Sequence, residues 1–153
     1  MHNPDDREDI IRTLNTLIET CKDGEADFKA CAADVQRLDL QEWFTTRSQE
    51  CGNAATELQR SVVELGGRPG HNASVSGELH RRWVDLKTLV SGKDEQRVLD
   101  EAERDEYLAE KNYAEALHQP LPSEIRAMVQ RQYEGVLRNH QEIRAMRSTA
   151  RTG

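Results

Sequence analysis

The sequence predicts an all-α protein, a bundle of four long amphipathic helices with one short helix in a long crossover. Apolar residues recur at the 3.6-residue helical spacing in five segments. No stretch alternates apolar and polar residues for more than a few positions, so strands are not expected. Hydrophobic residues make up 36%, charged residues 32% and aromatics only 5% of the 153 residues, and the Ala, Leu, Glu and Arg that dominate favour helices. That length is one domain's worth of chain, expected to fold over residues 1–153 around a core that needs no disulfides.

Each element has its own signal. Asn3-Pro4-Asp5-Asp6 reads as a helix start with Asp5 as cap and Glu8 three residues on. The first helix should reach about Leu38 on a stripe that includes Leu14, Leu17, Ile18, Cys21, Phe28, Cys31 and Val35, with Glu25 near its centre. Gly24, in mid-helix, suggests close approach of a neighbouring backbone. After a tight link near Asp39, a second helix should run to about Leu65, its stripe carrying Leu40, Phe44, Cys51, Ala55, Leu58 and Val62 and, on the same face, Arg47. Gly66-Gly67 is a helix stop. Residues 66–77 are loop-like and hold His71, expected in solvent. Glu78–Val90 reads as the short helix, with Leu79, Trp83, Leu86 and Val90 on one side. The third long helix, Gln96–Leu117, buries Val98, Leu99, Ala102, Ala109, Tyr113 and Ala116, and Glu106 falls inside that face. Pro122 and Glu124 open the last helix, which should reach about Arg147 with Val129, Gln132, Tyr133, Val136, His140 and Ile143 inward. Short links make antiparallel neighbours, and the long crossover lets the second and third helices run parallel. One long crossover in a four-helix bundle is the ferritin-like arrangement.

Charge and composition exclude several function classes. The formal net charge is −7 with acids and bases interspersed, whereas nucleic-acid binding wants a basic stripe. No apolar run approaches the roughly 20 residues of a membrane span, and the acidic start MHNPDDREDI is unlike a signal peptide. The expectation is a cytoplasmic protein with no nucleic-acid or membrane partner. A homodimer, the commonest soluble assembly, is the one self-association weighed, and no protein partner is identified. Cys21, Cys31 and Cys51 are an odd count without CxxC spacing and read as small apolar core residues.

The chemistry turns on inward polar residues. A carboxylate on a buried stripe must be neutralised by a proton, a cation or a metal. Matching the helices by their links puts Glu25, Cys51, Ala54, Glu106 and Gln132 in one layer, with Arg47 and His140 about one turn away. A ferritin-like di-metal site wants one Glu from each of two helices and Glu-x-x-His from each of the other two. Glu25 and Glu106 match the single carboxylates. The second helix, however, offers Cys51-x-x-Ala54 and the fourth Gln132-x-x-Gly135, so both bridging carboxylates and both histidines are missing. Arg47 is the permanently charged base on an inner stripe and is expected either to bond Glu25 or Glu106, with Gln132 and His140 completing the network, or to snorkel to solvent past Phe44.

The segments LNTLIETCKDGEADF, ELHRRWVDLK, ERDE and RQYEGVLRNHQEIR together resemble a bacterial ferritin-like family, domain of unknown function 2383. The resemblance covers about Arg7 to Arg147, implies a ferritin-like bundle and brings no assigned activity. The expected function is a non-catalytic bundle, structural, stress-associated or partner-binding, with a degenerate di-metal site, no catalytic residue and no cofactor. The alternative is a metal-binding protein or di-metal oxidoreductase holding iron or another divalent metal at a rearranged site of Glu25, Glu106 and His140, with Glu103 or Gln132.

Overall fold

The computed structural model describes residues 4–69 and 95–152. The expected short helix at Glu78–Val90, with Trp83, and the loop with His71 lie outside the described residues. Four helices account for almost all of the rest: α1 Pro4–Asp34, α2 Leu38–Glu64, α3 Glu95–Leu117 and α4 Ser123–Thr152. None of the helices among the described residues is long and apolar enough to cross a membrane.

Three boundaries differ from the sequence expectation, the last of them the end of α4, which runs to Thr152 and not to about Arg147. The first helix stops at Asp34, and Leu38 opens α2 instead of closing α1, exposed at the bundle's end. The link is held by Gln41, whose side-chain amide donates to the Val35 carbonyl at 2.8 Å, and by Arg37, which grips Asp39. The start also moves, to Pro4, in keeping with proline's fixed φ at a helix's first turn.

The helix stops follow from named groups. At the end of α2, Gly66 adopts φ +84°, its N–H donates to Val63 at 2.9 Å and that of Gly67 to Val62 at 2.9 Å. This is the double bond of a Schellman cap, which needs glycine at the left-handed position. At the end of α3, Arg126 reaches back from α4 and donates to the Leu117 and Gln119 carbonyls at 2.8 and 2.6 Å. Carbonyls with no helical partner are thereby satisfied.

Side-chain pairings set the topology. Trp43 donates to Glu142 at 2.8 Å, Asn139 to Glu50 at 3.1 Å, Gln132 to Glu57 at 2.8 Å and Ser61 to the Met128 sulfur at 3.6 Å. Residue numbers rise on α2 as they fall on α4, so the two are antiparallel. Tyr113 with Gln132 and Arg147 with Asp100 make α3 antiparallel to α4, and α2 is therefore parallel to α3. The bundle is a square in which α1 touches α2 and α3, α4 touches α3, and the side between α2 and α4 is the loosest of the four. That loosest seam is held by the polar stitches just named.

The core falls into two clusters. One gathers Leu14, Leu17, Ile18, Leu58, Val62, Tyr113 and Val129; the other gathers Phe28, Cys31, Phe44, Val98, Leu99 and Ile143. Phe44 packs against Phe28 and Trp43 with ring centroids 6.1 and 5.4 Å away. Arg47 and Glu106 lie where the clusters meet.

Gly24 marks a close approach of α1 to α2, though the neighbour is a side chain and not the backbone. A Cβ there would lie 2.9 Å from the Cys51 sulfur, inside contact distance. Gly24→Ala is therefore expected to destabilise by about 1–3 kcal/mol despite its better helix propensity. Combined with Cys51→Ala it should cost nothing beyond Cys51→Ala alone. Urea unfolding of the three variants checks this, and a Gly24→Ala protein as stable as wild type would show that the seam is not tight.

Candidate functional site

The centre of the bundle is a salt bridge between α2 and α3. Arg47 continues the α2 stripe one turn after Phe44, and Glu106 continues the α3 stripe one turn after Ala102, so both are carried inward by the periodicity that buries their neighbours. Their relative exposures are 6% and 0%. The guanidinium engages the carboxylate with two nitrogens, Nε to Oε2 at 2.6 Å and Nη2 to Oε1 at 2.8 Å. The remaining nitrogen donates to the Cys51 sulfur at 3.3 Å and approaches Glu50 at 3.6 Å. The group lies over the Phe28 ring, 5.3 Å from its centroid. Burial alone would lower the Arg47 pKa; the Cys51 sulfur and the Glu106 carboxylate outweigh it and hold the pKa above its ordinary value.

The other expected network members go elsewhere. Gln132 belongs to a chain that crosses the bundle one level away. Tyr113 donates its hydroxyl proton to Gln132 at 2.7 Å, and Gln132 donates to Glu57 at 2.8 Å, which also pairs with Arg131. With its one proton committed, the Tyr113 hydroxyl accepts from the Cys21 thiol at 3.1 Å. His140 is buried, but its Nδ1 meets Glu110 at 2.5 Å and its Nε2 lies 3.9 Å from Glu103. Glu103 is itself held by Arg144 and Arg147.

Glu25 requires a correction. It does not join Glu106, because Gly24 is the residue of that turn that meets Cys51. The Glu25 side chain, 41% exposed, lies in an outer groove between α1 and α2, 3.8 Å from Lys22 and pressed on Gly52. Glu25, Glu106 and His140 are therefore in three different places. Sequence reasoning also missed two acids, Asp27 and Asp105, only 1% and 8% exposed. Their signal was weak, since each precedes a stripe residue at the edge of the apolar face.

The four positions that lack metal ligands share a wall. Cys51, Ala54, Gln132 and Gly135 all line a cavity of about 600 Å³ that runs through the bundle beside the salt bridge. Small side chains have left open the volume that longer ligands would fill. A di-metal centre does not fit these residues, since both Glu106 oxygens are taken by Arg47. No group of three His, Cys, Asp or Glu side chains placed to hold a metal exists among the described residues.

A family model described as Domain of unknown function (DUF2383) matches residues 9–119. The chain belongs to this family. Among solved structures, the DUF2383 chain is similar to a two-domain protein from Anabaena variabilis that contains DJ-1/ThiJ/PfpI-like and ferritin-like domains. The TM-score is 0.74 at 15% identity, covering 94% of this chain and 40% of the other. The DUF2383 chain thus has a ferritin-like all-α fold and spans under half the length of that neighbour. No curated protein matches it.

Burial pushes the Cys21 thiol from 9.0 up to about 11, against the Arg47 charge, which lowers it. Burial also raises Cys51, and raises Tyr113 together with the neighbouring Cys21. A thiol whose folded pKa lies above its unfolded one stabilises the native state fully below the unfolded value. That contribution disappears as pH rises through the folded value. Urea midpoints are therefore expected to hold from pH 7 to about 8.5 and to fall toward pH 11. Cys21 should account for up to about 2–3 kcal/mol at about 1.4 kcal/mol per unit. Cys21→Ala should flatten the fall, and an unchanged slope would remove Cys21 as its cause.

Proposed function

We propose that this DUF2383 protein is a metal-independent, non-catalytic ferritin-like bundle with a structural, stress-associated or partner-binding role. The observation that carries the reading is the two-nitrogen grip of Arg47 on Glu106. It supplies in covalently attached form the positive charge that a metal would bring, and it uses both oxygens that a metal would need. A rearranged site of Glu25, Glu106 and His140 would have to free Glu106 from Arg47, detach His140 from Glu110 and carry Glu25 in from the outer groove. Nothing in the geometry prepares those movements. The expected partners exclude nucleic acid and membranes, on the acidic charge and the absence of a basic stripe.

After incubation with ferrous iron, manganese or zinc and removal of free ion, the protein should retain less than about one metal per chain and show no ferroxidase activity. Two metals per chain, about 3.5–4 Å apart within the bundle, would overturn the reading.

A further inference from the structure

The cavity beside the salt bridge has two chemically different ends. Between α1 and α3 it is lined by Thr16, Glu19, Thr20 and Asn112, and none of its lining residues on those two helices is an arginine or lysine. Between α2 and α4 it is lined by Glu50, Glu57, Arg131 and Arg138. At that second end most charges are matched. Glu57 holds Arg131, and Glu50 accepts from Asn139 and lies near Arg47. Arg138 makes no ion pair among the described residues, and its guanidinium folds back over Gly135, 3.7 Å from where a Cβ would be. Glu19 likewise makes none among the described residues. Partial burial, and then the nearby charge of Asp23, push its carboxyl above its usual range. Between the ends, Cys21, Ala54, Ala109 and Val136 give an apolar strip, flanked by the paired Arg47 and Glu106 on one side and by the hydrogen-bonded Tyr113 and Gln132 on the other. A cavity of this volume falls within the range of small-molecule sites.

We propose that the cavity is a binding site for an elongated zwitterion, its ammonium group at Glu19, its carboxylate at Arg138 and an apolar body between them. The two unmatched charges have opposite sign and lie on opposite seams of the square. A ligand carrying only one charge would satisfy only one of them. The degenerate ligand positions make the room, because Ala54 and Gly135 are on the passage wall where a metal site would place a longer side chain. The proposal goes beyond the metal-independent reading. Metal retention and ligand binding are separate measurements, so failure of one is distinguishable from failure of the other.

The test is isothermal titration of the full chain with 8-aminooctanoate, octanoate and octylamine. Gly135→Leu fills the passage at a position where the new Cβ meets only the flexible end of Arg138. It should weaken 8-aminooctanoate at least about tenfold with the helical circular dichroism unchanged. Glu19→Gln and Arg138→Gln, both on the rim and outside the core, should each weaken it about threefold, as partly exposed charge contacts do. The first should spare octanoate and the second octylamine. Equal binding of all three probes, unchanged binding by Gly135→Leu, or no saturable binding of 8-aminooctanoate would each overturn the proposal.

Discussion

An ionised carboxylate with no exposed surface has two ways to persist inside a helical bundle, a bound metal or a fixed organic cation. In this chain the cation is Arg47, and much of the interior is arranged to keep it in place. Phe28 supplies an aromatic face, Cys51 accepts the spare nitrogen, and Phe44 and Trp43 back the ring that the guanidinium covers. The pair joins α2 of the first helical hairpin to α3 of the second. It thereby fixes how the hairpins meet at the level where the two apolar clusters divide.

The salt bridge also explains the looseness around it. With charge compensated inside by Arg47, the cavity beside the pair is walled by Cys51, Ala54, Gln132 and Gly135 and not by a coordination shell. Polar stitches then carry the α2–α4 seam: Trp43 with Glu142, Glu50 with Asn139, Glu57 with Arg131 and Gln132. Each is partly exposed and individually weak. A seam of this kind excludes less water than an apolar one and leaves the cavity reachable from outside.

The fold was legible because its signals are local. Helical periodicity, Gly66-Gly67 and the link near Pro122 each depend on a few neighbouring residues, and an arginine and a glutamate on opposing apolar stripes announced a buried charge problem. The site was legible only in part, because relative height and rotation of helices are not local. Counting from the last link puts Glu106 level with Gln132. In the structure Tyr113 is the partner of Gln132 and His140 is level with Glu110 and Glu103, a stagger of about two turns. Glu25 was misplaced because a wheel averages over a helix of 31 residues. At that turn it is Gly24 that meets Cys51, and Glu25 lies to the side, against Gly52. Asp27 and Asp105 were passed over because an acid at the rim of a stripe looks the same in sequence whether its neighbours cover it or not.

The central claim is that Arg47 and Glu106 hold each other in the core, and a double-mutant cycle in urea unfolding measures it directly. Arg47→Met alone should cost about 3–5 kcal/mol, because it strands Glu106 in an apolar layer. Adding Glu106→Gln should recover much of that loss, leaving a coupling energy of about 2–3 kcal/mol between the two changes. A loss below about 1 kcal/mol for Arg47→Met, with the two changes additive within about 0.5 kcal/mol, would mean that the pair does not organise the bundle.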